Sequence, residues 1–334
     1  MIRSALWHLS YRRKLAGVAV FFLWMTGSVF ASYLGFSPAR VDDLQTWSGD
    51  KNQVLHFECG DPVFMRTFLG KNAQNRCTHC RCVLHALEGL EEAPHLLCGD
   101  DTRLAMTFVS GRELVYGDLH DTRKLESVMD SMERFYKALM CVKNHLPLSD
   151  MWAFKCSQFD HCVRDQMIRD DLKPLLDYWG EEFLPQLYAQ DLAVVHRDLH
   201  GKNILLHGDQ ARILDYDECR QGYVMEDLMR LSVCHGLKPD GDQMLLQRWF
   251  PGDKGASRLF EACKALEYFS WAIGGVMPVL STEDARDAVF AQNTPPIDLS
   301  WVPRACTHNQ TLPDQSLEFL SASVRDFRML CESE

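Results

Sequence analysis

The sequence predicts an α+β fold of two lobes, a small β-rich N-lobe at 46–110 and a helical C-lobe at 111–334. Three observations carry this expectation. Short apolar runs alternate with turn signals from 46 to 68. Helical apolar spacing dominates after 111. A short apolar hairpin at 204–214 is framed by oxygen-bearing side chains. Sheet first and helices afterwards is an α+β order.

Ahead of the lobes lie a basic segment, 1–14, and an uncharged apolar run, 15–36. A helix of that length crosses a hydrocarbon core of about 30 Å, so 15–36 is expected to be a transmembrane helix. Arg12, Arg13 and Lys14 precede it, whereas Arg40, Asp42 and Asp43 follow. The positive-inside rule then puts the N-terminus in the cytoplasm and the domain on the far side, in a bacterial inner membrane or an endomembrane. A cleaved signal peptide is the competing reading, with Val29 and Ala31 as its small-residue pattern. The run is longer than a usual signal-peptide core, which favours the anchor.

In the N-lobe, Ser48-Gly49-Asp50 and Cys59-Gly60-Asp61-Pro62 mark turns between short strands. Val83, Leu84, Leu87 and Leu90 share one helical face over 76–90, and 103–109 reads as a strand closed by Ser110-Gly111. In the C-lobe, Leu125, Met129, Met132, Phe135, Leu139 and Val142 form one stripe. A helix is therefore expected over 124–146, stopped by Pro147. Further helices are expected at 181–193, 226–237, 243–250 and 256–273.

Composition narrows the function. The chain has 334 residues with 46% apolar and 24% charged, an ordinary globular balance, and a formal net charge of −11. Such a charge argues against nonspecific nucleic-acid binding, which needs a basic surface. The 13 cysteines are an odd count and fall well below a disulfide-scaffold composition. Cys77, His79, Cys80 and Cys82 lack a second half at zinc-finger spacing, so they are read as small apolar residues of a helix.

The segment 194–217, VVHRDLHGKNILLHGDQARILDYD, carries the chemistry. His196, Arg197 and Asp198 open a loop, and Asn203 follows five residues after Asp198. Residues 204–206 and 211–214 pair around the His207-Gly208-Asp209 turn, and Asp215 ends the return strand. The hairpin is expected to set Asn203 and Asp215 at one end, with Asp198 on the loop leading in. Oxygen donors of this kind suit a hard cation such as magnesium, with substrate phosphates completing its shell.

H-R-D, an Asn five residues after its Asp, a hairpin and a closing Asp together resemble the catalytic and metal loops of the protein-kinase-like superfamily. Asp198-Leu199-His200-Gly201-Lys202-Asn203 and Ile213-Leu214-Asp215-Tyr216-Asp217 are most similar to the branch of aminoglycoside phosphotransferases, choline kinases and lipopolysaccharide core kinases. Gly222 with Asp227-Leu228 resembles the close of their metal segment. The resemblance is strong over 194–231 and loose elsewhere between 46 and 275. It implies ATP and Mg2+ as cofactors, Asp198 with Arg197 and Asn203 as catalytic residues, and Asn203 and Asp215 as metal ligands. Arg66 stands where a strand lysine would hold the phosphates, with Lys71 as a fallback. Met106, Thr107, Phe108 and Val109 look like the segment that meets adenine. The following helix has His79 and Cys80 where an acid is expected, and Glu88 lies too late. His196 is read as packing the loop; His200 and Lys202 are left facing either acceptor or solvent.

The implied activity is membrane-anchored transfer of phosphate from ATP to a hydroxyl of a small molecule or glycan, with envelope lipopolysaccharide or glycolipid as one acceptor class. Two alternatives stay open. One is a pseudokinase binding module, favoured by the N-lobe departures. The other is a secretory-pathway protein Ser/Thr kinase, which the sequon Asn309-Gln310-Thr311 would suit. Against it stand His200, the absence of an A-P-E motif and the short segment between Asp215 and Asp227. A domain on the far side of a membrane also needs ATP there, which is scarce in a bacterial periplasm. If 15–36 is an uncleaved anchor, N-terminal sequencing of the purified protein recovers residues ahead of Ser32; a chain starting at Ser32 would identify a signal peptide instead.

Overall fold

The computed structural model describes residues 40–44, 50–57, 61–162 and 166–276. The expected membrane helix at 15–36, the turns at 48–49 and 59–60 and the sequon at 309 lie outside them. Among the described residues no helix is long and apolar enough to cross a membrane. The architecture is the expected α+β one, with a sheet in the N-terminal region and helices in the C-terminal region. It divides into two units: residues up to Gly111 together with Lys137–Val142 and Leu214–Asp217, and the remainder of the chain.

The first unit holds an antiparallel five-stranded sheet. Its strands are β1 (Arg40–Leu44), β2 (Lys51–His56), β3 (Val63–Thr67), β4 (Leu96–Gly99) and β5 (Arg103–Thr107), in the order β1-β2-β3-β5-β4. β2 pairs β3 with Asn52 opposite Arg66, and β3 pairs β5 with Arg66 opposite Leu104. Leu55, Val63 and Ala105 form an apolar centre with Phe57, Met65, Leu97 and Cys98 packed against it. Helix α1 (Ala73–Ala86) buries Ala73, Cys77, Cys80, Val83 and Leu84 at helical spacing and packs on β4 and β5. Cys77, Cys80 and Cys82 are free thiols on this helix, and Cys77 and Cys80 are buried in its packed face.

The second unit begins with β6 (Arg112–Glu113) and α2 (Thr122–Leu139). The expected helix to 146 stops at Leu139, and Met140–His145 forms a 3₁₀ turn with no buried residue. The apolar stripe that holds the helix ends there, and Pro147 disfavours helix just before it. Next come α3 (Met151–Cys162), α4 (Gln166–Glu182), α5 (Leu184–Tyr188) and β7 (Ala193–Val195). The helix expected over 181–193 is thus corrected. Pro185 sits in the first turn of α5, where its missing N–H costs nothing, so a new short helix begins there and strand starts by Ala193.

β8 (Ile204–His207) and β9 (Gln210–Ile213) form the expected hairpin, Ile204 opposite Ile213, and β6 joins its β8 edge. β10 (Arg220–Gly222) pairs β7. Three helices follow: α6 (Val224–His235), α7 (Pro239–Trp249) and α8 (Ala256–Val276). α6 is buried along most of its length and packs on α8, α7 and β7. At its start Glu226 Oε1 accepts the Tyr223 amide at 3.0 Å, half of a capping box. At its end Gly236 takes φ 57°, the left-handed cap.

A Cβ on Gly236 would lie 2.3 Å from the Tyr116 ring, and its φ already disfavours any other residue. Gly236→Ala is expected to lower the urea unfolding free energy by about 2 kcal/mol, the scale of a strained left-handed residue. A neutral effect would show that Tyr116 moves aside freely.

Candidate active site

The strand β7 delivers the chain into the loop 196–203, and one buried carboxylate shapes that loop. Asp227 of α6 is fully buried and accepts the amides of His196 at 2.7 Å and Arg197 at 2.6 Å, with the Tyr136 hydroxyl at 2.9 Å. Burial pushes its pKa up, against these donors. Arg197 is bent to φ 67°, a conformation that non-glycine residues avoid. Its guanidinium faces Glu226 at 3.5 Å. His196 is buried, its ring 5.7 Å from that of Phe135, so it packs the loop as expected. Gly201 is required by close approach: a Cβ there would sit 2.3 Å from the Leu114 carbonyl oxygen, beside which the chain also bonds Leu114 to Gly201.

The loop brings Asp198, His200 and Asn203 together. The Asn203 amide nitrogen donates to the Asp198 carbonyl at 2.9 Å and to its Oδ2 at 3.0 Å. His200 Nε2 lies 3.3 Å from the same Oδ2, and Arg230 of α6 reaches Oδ1 at 3.3 Å. Burial works against ionisation of Asp198, but the His200 hydrogen bond and the charge of Arg230 hold its carboxyl well below the usual range. Behind Arg230 the charges continue to alternate. Glu267 of α8 pairs with Arg230 through one oxygen and with Lys155 of α3 through the other, at 2.5 Å. Burial opposes ionisation of Glu267 too, and the two cations more than offset it, holding its pKa down at about 2.

In the first unit, Arg66 of β3 is buried among three carboxylates. Nη1 meets Asp215 Oδ1 at 2.8 Å, and Nη2 meets Asp217 Oδ2 at 2.7 Å and Asp50 Oδ2 at 3.3 Å. Burial opposes its charge, and Asp215 and Asp217 more than restore it. Arg76 of α1 bonds Asp50 through both terminal nitrogens and Asp217 through one. Asp215 sits at φ 63°, which with Arg197 makes two strained non-glycine residues in the motif.

Arg66 was read from the sequence as standing where a strand lysine is expected, and the structure sets it among Asp50, Asp215 and Asp217. The helix lacks an acid, as its sequence reads; α1 contributes a cation, Arg76, and the acid that meets it, Asp50, lies just ahead of β2. Lys71, the fallback, lies in the turn before α1, and its neighbour Arg66 makes the contacts instead. Met106 and Thr107 end β5, followed by Phe108 and Val109. Thr107 and Phe108 donate their amides to the His95 carbonyl at 2.9 Å and the Pro62 carbonyl at 3.2 Å. Arg230, Glu267 and Lys155 were not singled out from the sequence. Arg76 had one local signal, a cation in a helix first turn without acids, against the helix dipole.

Each unit holds oxygens that suit a hard cation. In the first, Asp217 Oδ1 is buried with no hydrogen-bond partner and Asp215 is half-exposed. In the second, the Asn203 amide nitrogen is engaged by Asp198, which leaves its oxygen to face a ligand. Among the described residues no group of three or more His, Cys, Asp or Glu forms a ready-made metal cage. Magnesium does not require one, since phosphates and water supply most of its shell.

A strained H-R-D loop pinned by a buried aspartate, an apolar hairpin and an arginine-bound aspartate after it define a phosphotransferase of the protein-kinase-like superfamily. Residues 58–260 match the model of the phosphotransferase enzyme family (APH), and the chain belongs to that family. It is an enzyme of that class, a kinase that phosphorylates hydroxyl groups. No curated protein matches the chain. Solved structures share its fold. A choline/ethanolamine kinase family protein from Mesorhizobium loti is 20% identical, with 88% of this chain and 95% of that one covered and a TM-score of 0.55. Choline kinase LicA from Streptococcus pneumoniae is 12% identical, covering 90% and 96%, at a TM-score of 0.56. The aminoglycoside phosphotransferase APH(2'')-IIa, in a ternary complex with streptomycin and ATP, is 13% identical, covering 74% and 88%, at 0.55.

Glu267 yields a pH-dependent stability. Its folded pKa, about 2, lies below the ordinary 4.5, so its contribution is complete above 4.5 and is lost as pH falls from there toward 2. Glu267→Gln is expected to cost about 3 kcal/mol at neutral pH, because Lys155 and Arg230 lose their buried counter-ion. It should also flatten the acid limb of the urea midpoint between pH 4.5 and 2. An unchanged acid limb would assign it to other carboxylates.

Proposed function

We propose that this protein transfers the terminal phosphoryl group of ATP, with Mg2+, to a hydroxyl of a small molecule or glycan while held at a membrane by residues 15–36. The observation that carries the reading is Asp198, oriented on a strained loop by Asn203, His200 and Arg230. Family membership supports phosphotransfer. The choline and aminoglycoside acceptors of its structural neighbours support a small polar acceptor.

The chain's own residues divide the work. Asp198 accepts a hydrogen bond from the acceptor hydroxyl and directs its lone pair. A carboxylate held so far below its usual pKa is a weak proton sink, which suits a loose phosphoryl-transfer transition state that asks little of a base. Asn203 and Asp215 would hold the cation, and Arg66 would meet the phosphates with a planar fork in place of an ammonium. A magnesium ion held there would supply positive charge against the nucleotide phosphates. Positioning and electrostatics thus supply the rate. The anchor would confine the enzyme with a lipid-linked or envelope glycan and raise its effective concentration. On the positive-inside reading the catalytic domain lies outside the cytoplasm.

With radiolabelled ATP and a membrane extract, label is expected in a glycolipid or small-molecule fraction. Asp198→Asn should reduce transfer by about 10³-fold or more while Mg-ATP binding remains, as expected for a group that acts on the acceptor. Stoichiometric, Asp198-dependent labelling of a protein with none in that fraction would favour a protein kinase. A wild-type chain that binds no Mg-ATP would leave a binding module.

A further inference from the structure

Arg66 has acidic neighbours on two chemically distinct sides. Its Nη1 meets Asp215, whose side chain is 42% exposed. Its Nη2 turns inward to Asp217 and Asp50, whose side chains are 13% and 0% exposed. Helix α1 closes that inner side through Arg76, which grips both oxygens of Asp50 and reaches Asp217 Oδ2 at 3.1 Å. Asp50 also accepts the Leu69 amide at 3.0 Å, which fixes it to the turn after β3. Both guanidiniums lie over the Phe68 ring, at 4.9 and 5.4 Å from its centre.

This reverses the polarity expected from the resemblance, in which the helix supplies an acid to a strand lysine. Here the helix supplies the cation and the acid precedes β2. An acid at position 76 would face Asp50 and Asp217 and be repelled. The choice of arginine at 66 gives the reversal a purpose. An ammonium can rotate its donors, whereas a guanidinium is a rigid plane. Fixing Nη2 therefore fixes the direction of Nη1. The inner carboxylates are buried, so the exposed Asp215 is the partner that an incoming anion can displace.

We propose that Asp50 and Arg76 are positioning residues for Arg66, a reversed ion pair that holds its inner edge so that the outer Nη1 exchanges Asp215 for a nucleotide phosphate. The exchange frees a carboxylate oxygen of Asp215 for the accompanying cation. This rests on the kinase reading above.

Calorimetric binding of Mg-ATP to the full chain tests it, alongside the urea midpoint without nucleotide. Arg76→Gln is expected to weaken Mg-ATP binding by about tenfold, the usual scale for losing a residue that orients a ligand-binding group. Arg76→Lys should recover most of it, because the charge opposite Asp50 returns. Placed in an Arg66→Lys background, Arg76→Gln should cause little further loss of affinity, since no fork remains to be aimed. A purely structural Arg76 would lower the midpoint and the affinity alike in both backgrounds, and that result overturns the proposal. So does Arg76→Gln binding Mg-ATP as wild type does. Should Arg76→Gln not fold, the isosteric Asp50→Asn, which weakens the hold on the same inner nitrogen, gives the same additivity test in the wild-type and Arg66→Lys backgrounds. A wild type that fails to bind Mg-ATP sinks the kinase reading and the inference with it, whereas a failure confined to the variants sinks the inference alone.

Discussion

The loop 196–203 exists in its observed form because one carboxylate is buried beneath it. Asp227 takes two consecutive amides of the loop and a hydroxyl from α2, while its own backbone belongs to α6. An unpaired carboxylate at that depth would cost several kcal/mol. Three donors recover that cost only if His196, Arg197 and Tyr136 all stand in place, and each charged hydrogen bond is worth about 2 kcal/mol. The strained Arg197 backbone is thus held by a bond on its own amide and one on the amide before it. The same helix carries Arg230 four-fifths of a turn further on, so the element that shapes the loop also places a cation on Asp198.

Charge alternation extends this control into the helical interior. Asp198, Arg230, Glu267 and Lys155 form a line of opposite signs that ties the loop to α6, α8 and α3. Such a line stabilises less than an apolar core of the same volume would. What it adds is direction: each charge has its orientation set by the next, and the Asp198 carboxyl is held to its ionised form. In the first unit the same physics yields a different balance. Three acids surround two guanidiniums, and Asp215 is the exposed one of the three, where a nucleotide-bound cation would be welcome.

The two strained residues mark the functional ends of the motif. Arg197 precedes Asp198, and Asp215 follows the hairpin, both in the left-handed region that glycine ordinarily occupies. Retaining side chains there costs about 1–3 kcal/mol each. The cost is understandable if these positions need their charges as well as their sharp turns. Elsewhere, at Gly208 and Gly236, the same backbone conformation is left to glycine.

By itself the sequence determined the features whose parts are near in the chain. The loop, the hairpin and their polar residues lie within 194–217, and turn chemistry with apolar alternation was enough to place them. The helices with one clean apolar stripe were legible for the same reason, although their ends were not: α2 stops where burial stops, and α5 begins where Pro185 permits. Only tertiary structure decided what the charges do. Arg66 meets Asp215 and Asp217 across 149 and 151 residues, and Arg76 meets Asp217 across 141. No periodicity encodes pairs so far apart. The substitution of a helix cation for a helix acid is silent in sequence, because the sign required at Arg76 is set by carboxylates that folding brings to it.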